Sequence, residues 1–196
     1  MTVEPRTRAS ILDAAKQALL DVGYAGLSTR KIAEAAEVPL SQIHYHFGSK
    51  QGLVLEVLAE ENRKLLKRQE GMFASDMPLW KQWEQACDFF DDDLASGYVR
   101  VLQEMIAAGW SNPDIATAVK DMLRKWFSLL AIVAERAAHR IGGLGPFTAA
   151  EASVLAGAPF LGVETMILLG FTDEEIPARS ALRKFGDVLR SMEQET

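Results

Sequence analysis

Ile115, Val119, Met122, Trp126, Leu130, Val133 and Ala137 follow one another at steps of three and four residues. Such a series puts every apolar side chain on one face of a helix, whereas a half-buried strand needs strict alternation. The same period runs through almost the whole chain. Trp80, Trp83, Cys87, Phe90 and Leu94 form one stripe, Val99, Leu102 and Ile106 another, and Ala181, Leu182, Phe185, Val188, Leu189 and Met192 a last one opened by Pro177. No segment alternates convincingly, so the expected fold class is all-α, with about nine helices. Breaks fall at "SGY", "GWSNP" and "GGLGP", and the breaker-rich "GMFASDMP" reads as a domain boundary. The division this predicts is a first domain of residues 1–50, with a linking fourth helix to about 68, and a second of residues 69–196.

Composition sets outer limits on what such helices do. With 48% hydrophobic and 24% charged residues in 196, the chain has the makeup of a globular protein with a sizeable core. Its start, "MTVEPRTRAS", has no apolar run of the kind a secretory signal needs, which makes the cytoplasm the expected location. A single cysteine, Cys87, excludes an intrachain disulfide and a multi-cysteine zinc site, and its place on an apolar stripe predicts core packing. The net charge of −6 argues against nonspecific coating of nucleic acid, but it is unevenly spread. Residues 1–50 carry six Lys/Arg against five acids, leaving a weakly basic head on an acidic body.

Within that head, Ile11, Leu12, Ala15, Ala18, Leu19 and Val22 mark a first helix over about 6–22, ended by Gly23. After "GYAG", Ser28 or Thr29 caps a short helix through Ala36 with Ile32, Ala33 and Ala36 inward. Glu37 to Pro39 then leads into "VPLSQIHYHFGSK", where proline suits a first helical turn. At about 100° per residue, Ile43, Phe47 and Leu40 share the buried side, Ser41, Gln42, His44 and Tyr45 face outward, and His46 lies at the edge of the core. His44 and His46 diverge by about 160°, too far for two helical ligands of one metal, which need i+3 or i+4 spacing. No cysteine or Glu/Asp pair stands where it would make a nucleophile and base with them. A plain solvated helix with His46 settled against the core is one reading. The other is a recognition helix over residues 39–47, since Gln pairs with adenine edges, Ser with several bases, and Tyr, His and Lys with phosphates.

The stretch "LSTRKIAEAAEVPLSQIHYHFGSKQGLVLEVL" resembles the helix-turn-helix of the TetR family of transcriptional regulators, over about residues 5–60. The resemblance implies an N-terminal three-helix DNA-binding domain followed by a larger helical ligand-binding and dimerisation domain. It implies phosphate contacts from Ser28, Thr29 and Arg30, recognition-helix contacts from Pro39, Leu40, Ser41, Gln42, His44, Tyr45 and His46, and a backbone contact from Lys50. Two positions depart from the family pattern. Glu37 occupies the turn position usually held by glycine, and the usual aromatic of the recognition helix is His44, with Tyr45 one place later.

Residues 152–171, "ASVLAGAPFLGVETMILLGF", hold one charge in twenty and are long enough to raise the question of a membrane span. Glu164, Pro159 and three glycines interrupt the stretch and its flanks are not basic, so no membrane is expected. A helix apolar all round needs cover on every side, from its own core and from a second copy. With the last helix it predicts a four-helix homodimer interface, containing Leu155, Ala158, Gly162, Thr165, Leu182, Phe185 and Leu189. Trp83, Phe90, Met105, Trp110, Met122, Trp126 and Phe160 are either plain core or the lining of an apolar cavity, with Glu164 or Glu104 as polar anchors. By the resemblance, that cavity is where a small-molecule effector binds. "DDD" at 91–93 reads as a solvated face. The expected protein is a ligand-responsive repressor that binds a palindromic double-stranded operator as a dimer, with no enzymatic activity, metal or cofactor. The alternative is a helical ligand-binding or scaffold protein without DNA binding.

Overall fold

A computed structural model describes residues 3–194. Among them the chain forms nine helices and no strand: α1 (Val3–Gly26), α2 (Thr29–Ala35), α3 (Leu40–Phe47), α4 (Lys50–Phe73), α5 (Leu79–Ala95), α6 (Tyr98–Gly109), α7 (Pro113–Arg140), α8 (Ala149–Leu168) and α9 (Ala178–Gln194). They sort into two compact units, one made of the chain up to Lys64 together with Gly97–Lys120, the other of Leu65–Ser96 with the chain from Asp121 onward.

In the first unit α1 packs on α2 and α6, and α2 packs on α3. The inward faces are those the period predicts: Ile11, Ala15 and Leu19 on α1, Ile32 and Ala33 on α2, Ile43 on α3, and Leu53, Val54, Val57 and Leu58 on α4 are all buried. Burying each of these Ile, Leu and Val side chains stabilises the fold by about 1.5–3 kcal/mol before entropy is counted. The α1 break falls at Gly23 as expected, with φ 69° and ψ 173°, but one further helical turn carries the element to Gly26. Lys16 of α1 meets Glu61 of α4 at 2.6 Å. Burial pushes the Glu61 carboxyl up, but hydrogen bonds from Lys16 and Lys64 outweigh it and hold the group below the usual carboxylate range. Met105, expected beside a ligand, is fully buried on the inward face of α6 with Val101 and Leu102, and so belongs to this first unit.

The second unit is built around Cys87, Phe90, Phe160, Val163 and Leu182, with Trp83 and Trp126 packed against them. Trp83 Nε1 donates to the Leu182 carbonyl at 2.6 Å and Trp126 Nε1 to Gln69 Oε1 at 2.9 Å, which settles the two indole N–H groups of a largely apolar cluster. Burial pushes the Cys87 thiol up to about 11, so the side chain is a neutral packing group. The acidic run after Phe90 is more than a solvated face. Arg183 lies 2.9 Å from Asp88 and 2.6 Å from Asp91, and Arg68 meets Asp93 at 2.7 Å. Helix α8 starts in a reciprocal cap in which Glu151 N donates to Thr148 Oγ1 and Thr148 N donates to Glu151 Oε2. It is the one helix among the described residues long and apolar enough to cross a membrane by length and composition.

Candidate nucleic-acid interface

The short turn between α2 and α3 decides how α3 is presented. Helix α2 ends with Glu37 N donating to the Glu34 carbonyl and Val38 N to the Ala33 carbonyl, the paired closing bonds of a left-handed helix terminus. Glu37 itself takes φ 55°, the position where glycine is the unstrained residue. The chain then turns through Pro39 (φ −60°, ψ 142°) into α3, whose Ile43 is fully buried and anchors the helix. On the other face Ser41, His44 and Tyr45 are exposed, Tyr45 at 72%. Gln42 and Leu40 are half-buried, and Pro39 is exposed.

The two histidines go to different surroundings. His44 Nδ1 lies 3.3 Å from the Gly48 carbonyl, which can only accept, so the ring donates there and turns its other nitrogen outward. The ring of His46 stands between Tyr45 and Phe47, with centroids 5.0 and 5.9 Å away, and its Nε2 is buried with no hydrogen-bond partner among the described groups. At the start of α2, Ser28 is the N-cap residue by backbone angle, but its side chain makes no capping hydrogen bond. Arg30 and its neighbour Lys31 are exposed and Thr29 is half-buried.

Lys50 opens α4 with most of its donors committed. Its Nζ lies 2.9 Å from the Tyr24 carbonyl, 3.3 Å from the Leu27 carbonyl and 4.8 Å from the Tyr24 ring centroid. One N–H of the three is left for a further acceptor. Gly52 explains how α4 begins so close under α3: a Cβ there would stand 2.2 Å from the Phe47 carbonyl oxygen. Two side chains outside the sequence reading support this corner. Arg8 pairs with Glu56 and its guanidinium lies 5.7 Å from the Phe47 ring centroid. Their separation of 48 residues leaves no local pattern to find.

Residues 11–57, which hold this arrangement, match the family model of bacterial regulatory proteins of the tetR family. The similarity to that family is shown over this segment. It is 38% identical over 74 residues to the uncharacterized HTH-type transcriptional regulator YvkB of Bacillus subtilis, 36% of this chain and 39% of that one. It is 25% identical over 134 residues to the HTH-type transcriptional regulator UidR of Escherichia coli, covering 66% of this chain and 64% of UidR. The chain therefore spans less than two thirds of the length of either relative. The crystal structure of the transcriptional regulator FadR from Bacillus subtilis in complex with stearoyl-CoA shares the fold, with a TM-score of 0.76, 15% identity and coverage of 94% of this chain and 98% of that one.

The expected effector residues do not all come together. Trp83, Phe90, Trp126 and Phe160 meet in the core of the second unit; Met122 and Glu164 are buried in the same unit. Trp110 joins neither unit's core: it caps the end of α6 and is 83% exposed, because it stands in a helix break and not on an apolar stripe. The expected dimer residues also divide. Leu155, Ala158, Gly162 and Thr165 of α8 and Phe185 of α9 are exposed. Leu182 and Leu189 are instead buried in the chain's own core, on the side of α9 that packs against α5. The apolar residues of α9 left exposed are Ala181, Phe185, Val188 and Met192, about 60–120° around the helix from Leu182.

Proposed function

We propose that the protein is a dimeric DNA-binding transcriptional regulator, a repressor of the cytoplasm whose hold on a palindromic operator weakens when a small molecule binds its second unit. The observation that carries the reading is the coincidence of the tetR-family match with a turn and helix that leave Ser41, His44 and Tyr45 exposed over a buried Ile43. In this reading residues 1–50, with α4 to about 68, bind DNA, and residues 69–196 bind ligand and dimerise. Ser28, Thr29 and Arg30 hold phosphates, while Ser41, Gln42, His44 and Tyr45 meet the major groove beside Pro39, Leu40 and His46. Lys50 adds at most one phosphate contact through its remaining donor.

Dimerisation is supported by the apolar residues left exposed on two neighbouring helices, Val154 and Leu155 on α8 and Phe185, Val188 and Met192 on α9. Exposed small residues, Ala158 and Gly162, allow a second copy to come close. Two copies related by a two-fold axis place two recognition helices about 34–36 Å apart, one helical turn of DNA. The aromatic cluster around Phe160 and the buried Glu164 support an apolar effector with a polar group, and stearoyl-CoA in FadR shows that a protein of this fold holds such a molecule. An effector that favours the conformer with wrongly spaced helices weakens DNA binding by about 1–3 kcal/mol.

Fluorescence anisotropy with duplex DNA from upstream of the protein's own gene tests this reading. Salt-sensitive, sequence-selective binding is expected, and its absence sinks it. Gln42→Ala should cost about 1–3 kcal/mol at the preferred sequence and relax the preference at one base pair. A helical ligand-binding protein without DNA binding is the second reading, favoured by the exposed acidic side chain of Glu37 beside the recognition helix. A gel shift of wild type and Glu37→Gly separates the two, since binding by neither supports the second.

A further inference from the structure

Two charged side chains close on one short turn of the first unit. Helix α1 breaks at Gly23, so the Tyr24 N–H loses the acceptor a continuous helix would give it. Glu104 of α6 supplies the replacement, its Oε2 accepting from Tyr24 N. The approach is tight: a Cβ on Gly23 would stand 3.0 Å from both carboxylate oxygens of Glu104. From the other side Lys50 takes the Tyr24 and Leu27 carbonyls, as described above. A carboxylate on the N–H and an ammonium on the carbonyls both match the peptide dipole, and such charge-assisted bonds are roughly twice as strong as neutral ones. The residues that follow this pinned turn are Ser28, Thr29 and Arg30.

Helix α6 is itself well anchored. Arg100 Nε lies 3.4 Å from the other oxygen of Glu104, Tyr98 Oη donates to Asn62 Oδ1 in a buried bond of 3.4 Å, and just past α6 Asn112 Nδ2 donates to Gln51 Oε1 at 3.0 Å. We propose that Glu104 is a positioning residue for DNA binding: by holding the Tyr24 N–H it fixes the turn from Gly23 to Leu27, and with it the phosphate-facing start of α2. The inference rests on the DNA-binding reading above. It assigns an acidic side chain a favourable part in holding a polyanion, which charge alone never gives. Removing a negative charge strengthens DNA binding through the long-range field, whereas removing a positioning group weakens it. The two effects have opposite signs.

The test uses the full chain and a labelled duplex of about 30 base pairs that wild type enriches from random sequence, long enough for two half-sites. Glu104→Ala should bind that duplex about 10-fold more weakly, and the slope of log K against log salt should fall by roughly two as two phosphate contacts are lost. Glu104→Gln loses the charge but keeps an acceptor for the Tyr24 N–H, and should bind within about twofold of wild type or tighter. In the DNA-free chain, amide hydrogen exchange from Tyr24 to Ile32 should speed up about 10-fold in Glu104→Ala and not in Glu104→Gln. Equal or tighter binding by Glu104→Ala, an equal loss in Glu104→Gln, or unchanged exchange overturns the proposal. Failure of wild type to enrich any duplex sinks the DNA reading and this inference with it. The exchange result then still decides whether Glu104 holds the turn.

Discussion

Glu37 is the one non-glycine among the described residues with a positive φ, and it sits where the two helices of the interface meet. Its conformation costs an L-residue about 1–2 kcal/mol, part of which glycine would give back in unfolded-state entropy. Glu37→Gly should therefore stabilise the first unit by about 0.5–1 kcal/mol, read as a higher midpoint in urea unfolding. Glu37→Gln should leave stability nearly unchanged while removing the charge, so any gain in DNA affinity shared by both variants is electrostatic. Glu61 acts at the same scale. Its carboxyl is held below the usual range, so the stability it contributes is present above the ordinary carboxylate pKa and is lost as pH falls through the lower folded value. Glu61→Gln should cost about 0.5–1 kcal/mol at pH 7 and less at pH 3, because the advantage of the charged form shrinks once pH is below the ordinary carboxylate pKa. Urea titrations at the two pH values read the difference.

At the scale of elements, the period of three and four marks most of the helices, α8 being marked instead by its nearly unbroken apolar run, because a face that must be buried leaves the same mark wherever it is buried. For that reason it could not tell which core a face enters. Met105 has the spacing of a core residue, but nothing in that spacing separates the first unit from the second. Helix α9 is a sharper case. Ala181, Leu182, Phe185, Val188, Leu189 and Met192 make an apolar face wide enough for two partners, and only packing on α5 shows that Leu182 and Leu189 serve the chain itself. Helix α3 was legible because Ile43 and its outward neighbours lie within one helical turn of each other. The partners of Lys50 and Glu104 lie up to 80 residues away, beyond any local pattern. Phe185→Glu follows from the sorting of α9: it should weaken self-association at least 10-fold in sedimentation velocity, leaving far-UV circular dichroism unchanged. Leu182→Ala should instead lower stability by about 2–5 kcal/mol, as expected of a core leucine.

At the scale of the whole molecule, the first unit is made from two separated lengths of chain, with Leu65–Ser96 running between them. Tyr98, Val99, Val101, Leu102, Met105 and Ile115, all buried, come from the second length. A fragment ending at Lys64 lacks them, and should show weak exchange protection and bind an apolar dye, whereas the full chain should do neither. The unit is therefore not a detachable cassette. A chimera that borrows only the first 64 residues would import a helix-turn-helix with half its wall missing, and would have to find a substitute for α6 in its host. Recombination that moves this unit whole, natural or engineered, has to cut the chain at two places.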